Sequence, residues 1–270
     1  MSVPGSPPDF RCALITGASS GLGLEYAHQL APHIETLILV ARREKLLEEI
    51  ATNLVAKFPH LRVKIFASDL VDDADRNQLI KALSEADLHP DCLINNAGMG
   101  DYGEFRTSEW PKIEQMMRLN MEALTHLTHA LLPGLMARRG AILNISSLAS
   151  VLPIPDFAVY AATKSYVSSF SEALRLELRS QGIRVLAVCP GPVKTGFGEV
   201  ARRGSDGELP IQESFYVPAH KVVRDSIKAL IQDRPRIYPG LKVAAAAAII
   251  GLLPLAVVRF IMSTRPRRSD

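Results

Sequence analysis

The chain has 270 residues, 47% of them apolar, and 31 Lys and Arg stand against 28 Asp and Glu for a net charge of +3. This is enough for one α/β unit with a substantial core, and it excludes a disordered or linker-rich polypeptide. The charge is too balanced for a nucleic-acid binder, and with aromatics at 6% there is no interleaved basic and aromatic platform.

Residues 1–9 are rich in proline and small side chains, lack a basic-then-apolar signal pattern, and read as a short disordered lead. Apolar, β-favouring runs then alternate with helix-like stretches. Strands are predicted near 11–16, 36–41, 61–67, 91–95, 140–146, 183–189 and 236–238, and helices near 22–32, 43–57, 72–85, 109–138, 157–180 and 218–232. Strands that are apolar almost throughout and separated by helices require a parallel sheet covered on both faces. The expected fold is therefore α/β: a doubly wound, Rossmann-like parallel sheet of seven strands in three αβα layers, occupying 10–240 as a single unit. Such sheets bind ligands beyond the carboxyl ends of their strands.

Three motifs fall at that edge. In Leu14-Ile15-Thr16-Gly17-Ala18-Ser19-Ser20-Gly21-Leu22-Gly23 an apolar strand runs into a glycine turn and then a helix. Gly17 suits the tight turn, Gly21 lets the backbone approach a pyrophosphate, Gly23 lets helix pack on strand, and free N–H groups at the helix start face the phosphates. Asn95-Asn96-Ala97-Gly98 follows another apolar run, with asparagine amides to brace neighbouring strands. Tyr160 and Lys164 stand four residues apart, on one face of a helix, and Ser147 lies thirteen residues before the tyrosine. Each motif alone has an ordinary structural reading: a βα turn, a polar turn, an exposed lysine beside a packed ring. Their coincidence in one chain carries the weight.

Together, Thr16 to Gly23, Asn95 to Gly98, Asn120, Ser147, Tyr160, Lys164 and Pro190-Gly191 resemble, in order and spacing, the short-chain dehydrogenase/reductase family over about residues 10–240. The resemblance implies an oxidoreductase that interconverts a ketone or aldehyde and an alcohol by hydride transfer. It implies Tyr160 as acid/base, Lys164 as the cation that favours its phenolate and binds the nicotinamide ribose, Ser147 on the substrate oxygen, and Asn120 in a proton relay. It also implies a dinucleotide lying over Gly17, Ser19, Ser20, Gly21, Leu22 and Gly23, with Asp69 and Leu70 at the adenine. The path continues past Asn96, Ala97 and Gly98 to Tyr160, Lys164, Pro190, Gly191 and Val193, with Thr195 at the carboxamide. Asp69 also reads as an ordinary helix N-cap.

The second strand ends in Val40-Ala41-Arg42-Arg43-Glu44, with no acid to accept from a ribose 2′-hydroxyl and two guanidinium groups instead. A 2′-phosphate is favoured there, so the expected cofactor is NADP(H). Ser146 competes with Ser147, but the spacing to Tyr160 favours Ser147 and leaves Ser146 a structural contact. No glycines flank Ser146-Ser147 as a nucleophile elbow requires, which excludes a serine hydrolase. Cys12, Cys92 and Cys189 lie in or beside strand-like runs, as buried thiols in a reducing, cytoplasmic compartment do, and no metal-ligand spacing is visible.

A polar segment over 194–218, carrying Gly196, Gly198, Gly204 and Gly207, occupies the place of the family's substrate lid. Residues 241–270 form a hydrophobic helical tail with a basic end. Its apolar stretch over 243–262 has the length to cross a bilayer, but the catalytic unit and Arg265, Arg267 and Arg268 all prefer the cytosolic side. That leaves an interfacial helix, a shallow hairpin on the cytoplasmic face of a membrane, a cap on an apolar pocket, or a subunit contact. The tail points to a lipophilic carbonyl or alcohol substrate, such as a 3-oxoacyl or steroid-like compound. The resemblance further implies a homodimer or homotetramer paired through the helices at 109–138 and 157–180. The alternatives are a silent nucleotide-sensing or scaffold protein on the same fold, and an isomerase or dehydratase.

Overall fold

The computed structural model describes residues 10–201, 203 and 215–264. The proline-rich lead, much of the 194–218 segment and the last arginines lie outside the described residues. Seven parallel strands form one sheet in the order β3-β2-β1-β4-β5-β6-β7. They are β1 (Cys12–Thr16), β2 (Thr36–Ala41), β3 (Arg62–Ala67), β4 (Cys92–Asn95), β5 (Ala141–Ile145), β6 (Arg184–Val188) and β7 (Arg236–Ile237). The order reverses between β1 and β4, and this switch point opens the crevice in which doubly wound sheets hold ligands.

Period-2 alternation sends successive side chains to opposite layers. Ala13 and Ile15 of β1 join one core with Tyr26 and Leu30 of α1 (Gly21–Leu30), Leu47 and Leu54 of α2 (Glu44–Lys57) and Val222, Val223 and Leu230 of α8 (Ala219–Ile231). Leu14 joins the other with Leu79 and Leu83 of α3 (Asp73–Glu85), Leu127 and Leu135 of α5 (Leu124–Ala137) and Leu174 and Leu178 of α6 (Ala158–Leu178). Residues of β2, β4 and β5 are all buried, and each such Leu, Ile or Val contributes about 1.5–3 kcal/mol of transfer free energy. The expected fold class and all seven strands are present, β7 as a two-residue edge strand.

Two local expectations are corrected. The helix expected over 109–138 is α4 (Trp110–Met117), a π-helical turn (Arg118–Ala123) and then α5. Asn120 sits inside that turn, where its amide accepts from Met99 N and donates to Met99 O, both at 2.9 Å. The widened turn accompanies this inward pairing, in keeping with the tendency of π-bulges to occur at functional sites. Asp69 does not cap α3; Asp72 does, accepting from Asp75 N at 3.0 Å. The apolar tail forms α9 (Leu241–Leu252) and α10 (Leu255–Ser263), bent by 119° at Leu253-Pro254. Pro254 lacks the N–H that would continue α9 and stands at the N-cap of α10. The remaining described α-helix is α7 (Phe197–Ala201).

Candidate active site

The carboxyl ends of β1, β4, β5 and β6 converge on one crevice, and Asn95, Asn96 and Thr16 fix their spacing. Asn95 Nδ2 donates to Asn144 Oδ1 at 2.9 Å and to Thr128 Oγ1 at 3.0 Å, tying β4 to β5 and α5. Asn96 Nδ2 donates to Thr16 O at 2.9 Å, and Thr16 Oγ1 accepts from the backbone N–H of Asn96 and Ala97. The glycine turn is thereby pinned against β4. Gly17 adopts φ +65°, and a Cβ there would lie 2.9 Å from Asn96 Nδ2, so only glycine passes at this point.

α1 then begins with Ser20 at its N-cap, yet the Ser20 hydroxyl makes no capping bond. It accepts from Arg43 Nη2 at 2.9 Å, and Ser19 Oγ accepts from the same atom at 2.8 Å. The first N–H groups of α1 remain directed at the crevice, an anion-binding arrangement flanked by a guanidinium. Arg42 is exposed, and it is Arg43 that reaches the loop. Thr195 stands across the turn, 3.5 Å from where a Cβ on Gly21 would be. This surface of glycine turn, helix start, Ser19, Ser20 and Arg43 fits a phosphorylated dinucleotide.

Asp69 and Leu70 lie after β3, where Asp69 Oδ1 accepts from Val71 N at 3.1 Å. Their loop is held by a residue that the sequence reading passed over. Arg76 is 1% exposed, and its Nη1 donates to Leu70 O at 2.7 Å and Val71 O at 3.1 Å. Its Nη2 pairs with Asp73 and, at 2.5 Å, with Glu122 of the π turn. A charged residue at a position otherwise suited to core is its only sequence signal.

On the other side of the crevice, α6 carries Tyr160 and Lys164 on its buried face. Lys164 Nζ donates to Ile145 O at 2.9 Å and lies 5.7 Å from the centre of the Tyr160 ring. Gly98 makes room for it, since a Cβ there would sit 3.3 Å from Nζ and 3.2 Å from Asn120 Oδ1. Asn120 also donates to Thr163 Oγ1 at 3.0 Å, which joins the π turn to α6. Ser146 donates to Lys164 O at 2.8 Å and meets Ser168, a structural contact as expected. Ser147 instead caps the short Leu148–Val151 turn through Ala149 N at 3.1 Å, and its hydroxyl stands close enough to the Tyr160 phenol to favour the phenolate. That turn is tied to the loop after β6 by Leu148 N donating to Pro190 O at 2.8 Å.

Burial raises the Tyr160 phenol to about 12, against a lowering by the Ser147 hydrogen bond. Burial also lowers Lys164 to about 8, with the nearby Cys189 acting the other way. The expectation that the ammonium pulls the phenol down is thus not met in the chain by itself. Burial is the largest cause of the rise, and the Lys164 ammonium donates to the Ile145 carbonyl.

Aromatic residues that the sequence reading did not single out cover the phenol. Phe157 stacks on Tyr160 with ring centres 4.2 Å apart, Phe197 of α7 lies at 5.6 Å, and Tyr102 meets Phe157 edge-on at 5.7 Å. The cover is clasped by Arg203, which pairs with Asp101 and donates to Glu104 O at 3.0 Å and Thr107 Oγ1 at 2.9 Å. Burial works against the Asp101 carboxylate, but Arg203 and Lys112 hold it below the usual carboxylate range. Val193 bridges to Val217, and Val243 of α9 packs on Gly191, where a Cβ would lie 2.8 Å from it.

Residues 11–205 match the family model described as short chain dehydrogenase. A very-long-chain 3-oxoacyl-CoA reductase-like protein of Arabidopsis thaliana is 34% identical over 250 residues, covering 90% of this chain and 77% of its own length. A solved short-chain dehydrogenase from Sphingobium yanoikuyae, in complex with NADPH, superposes with TM-score 0.80 at 32% identity, over 96% of this chain and 98% of that one. A bulky-bulky ketone specific alcohol dehydrogenase from Comamonas testosteroni superposes with TM-score 0.76 at 27% identity, over 97% and 98%.

Proposed function

Because the chain belongs to the short-chain dehydrogenase/reductase family and is an oxidoreductase of carbonyl and alcohol groups, we propose that it is an NADP(H)-dependent reductase of a lipophilic ketone or aldehyde. The observation that carries this reading is the buried Lys164 ammonium 5.7 Å from the Tyr160 ring, beside Ser147 and Asn120 and across the crevice from the glycine turn. NADPH, when bound, supplies the hydride to the carbonyl carbon. Tyr160 gives its proton to the carbonyl oxygen, and Ser147 donates a hydrogen bond to the same oxygen. A phenol at about 12 is protonated at neutral pH, which readies it as the acid of the reductive direction. Lys164 then stabilises the phenolate left behind, and Asn120 holds the π turn against α6 for proton return through water.

Ser19, Ser20 and Arg43 support a 2′-phosphate and hence NADP(H). Asp69 and Leu70, on the loop held by Arg76, take the adenine, and Asn96, Ala97, Pro190, Gly191, Val193 and Thr195 line the remaining path. Met99, Met116, Phe157 and Phe197 pack around Tyr160 and favour an apolar substrate, as do relatives whose names specify very-long-chain 3-oxoacyl-CoA and bulky ketones. A cytoplasmic homodimer or homotetramer is part of the same reading, paired through the groove of Met117, Met121, Thr125 and Tyr166 on α4 to α6.

The test follows NADPH absorbance over 3-oxoacyl thioesters, steroid ketones and long aldehydes. Oxidation with at least one of them is expected. NADPH binding without oxidation anywhere on the panel would favour a nucleotide-sensing protein, and conversion without net oxidation an isomerase or dehydratase. A narrower expectation concerns Arg76→Met, which leaves the carbonyls of Leu70 and Val71 without their donor. NADPH affinity should fall about tenfold, equivalent to about 1.4 kcal/mol for hydrogen bonds from a charged donor. Fluorescence titration of a variant shown by melting to be folded reads this, and unchanged affinity would remove Arg76 from the adenine side.

A further inference from the structure

The net positive charge of the chain resides in its tail. Residues 241–270 carry Lys242, Arg259, Arg265, Arg267 and Arg268 against Asp270 alone, so removing these five and this one from 31 and 28 leaves 26 cations against 27 acids elsewhere. The same segment holds seven of the thirteen exposed large hydrophobic residues among the described residues. Leu252 is 86% exposed, Leu255 56% and Phe260 69%. α9 is nevertheless rooted, with Val243 and Ala247 buried, and α10 is held by Val258 and Met262. Helices of 12 and 9 residues are about 18 and 14 Å long at about 1.5 Å per residue, against a hydrocarbon core of about 30 Å. Neither spans it, and the 119° bend turns the chain back.

We propose that the α9–α10 bend is a monotopic foot that docks this protein on the surface of an anionic lipid bilayer. Ile249, Leu252 and Leu255, which flank the bend, enter the acyl boundary together with Phe260. Lys242 and Arg259, followed in the sequence by three arginines, meet the headgroup phosphates. Concentrated cationic charge selects a bilayer over a second copy of this chain, whose matching surface would carry the same sign and repel it. The foot also adjoins the catalytic crevice, because Val243 packs on Gly191 and α9 lies on the Leu148–Val151 turn after Ser147. A carbonyl compound dissolved in the bilayer therefore meets the enzyme at its active edge, a consequence that rests on the lipophilic-substrate reading; the docking itself does not.

The test is flotation of the full chain with vesicles of phosphatidylcholine alone and of phosphatidylcholine mixed with phosphatidylglycerol, at low and high salt. The wild type should float with mixed vesicles, about tenfold less with phosphatidylcholine alone, and less at high salt. Leu252→Asp with Leu255→Asp, and separately Arg259→Glu, should abolish or weaken flotation while melting temperature and NADPH binding are kept. A wild type that ignores both vesicles, or a double variant that floats equally, overturns the proposal. Loss of self-association in the double variant, with no vesicle binding by the wild type, assigns the patch to a second copy and also overturns it. Flotation needs no turnover, so an inactive carbonyl panel with intact flotation sinks the reductase reading alone.

Discussion

Tyr160→Phe is expected to lower NADPH-dependent carbonyl reduction by about 10²–10⁴-fold, the usual worth of a positioned general acid, while NADPH binds within about twofold of the wild type. The substitution is clean because phenylalanine keeps the ring. Stacking on Phe157 at 4.2 Å and the contact with Phe197 persist, so the aromatic cover stays in place. Only the hydroxyl is lost, and with it the interaction with Ser147. Ser147 still accepts from Ala149 N, so its turn keeps its cap, and the stability cost should stay near the ~1 kcal/mol of an ordinary hydrogen bond. Steady-state rates with the best substrate from the panel, together with fluorescence titration of NADPH, decide the matter. Turnover within tenfold of the wild type would show that the proton comes from elsewhere.

Arg43→Ala should weaken NADPH binding by about 10–30-fold and leave NADH binding nearly unchanged. Charge-assisted hydrogen bonds contribute about 1.5–3 kcal/mol each, and the exposure of Arg43 to solvent places the effect in the lower part of that range. Arg42→Ala is the internal control. Its side chain is exposed, and the donors to Ser19 and Ser20 come from Arg43, so its effect should be several-fold smaller. Competition binding of the two cofactors reads the ratio directly. Equal losses for NADPH and NADH would mean that Arg43 only braces the glycine turn, through the serines it already holds.

The sheet was legible because its signal is dense: β2 reads Thr-Leu-Ile-Leu-Val-Ala and is buried throughout, and no helix of that length would be bounded so closely. The residues proposed for chemistry were legible because a turn, a strand end and a helix face each need particular residue types at fixed spacing. What escaped depends on distant partners. The π turn answers to Met99, which lies twenty-one positions before Asn120 and leaves no trace in local periodicity. Arg76 and the Arg203–Asp101 clasp are likewise pairings that only the folded chain brings together. Pro254 announces the bend in the tail, and a shallow hairpin is among the readings its sequence offers. The upward shift of the phenol follows from burial, a property of the whole fold that no local spacing reveals.

The clasp by Arg203 separates two duties mechanically. The groups proposed to handle the proton are mounted on β5 and α6, which Ser146 and Asn144 bolt together through Lys164 O, Ser168 and Ser171. The cover contributes Phe197 and is fastened to the far loop at Asp101 and Glu104. Under the proposed function, selectivity would be retuned by exchanging the fastened piece, as one changes a die without rebuilding the press.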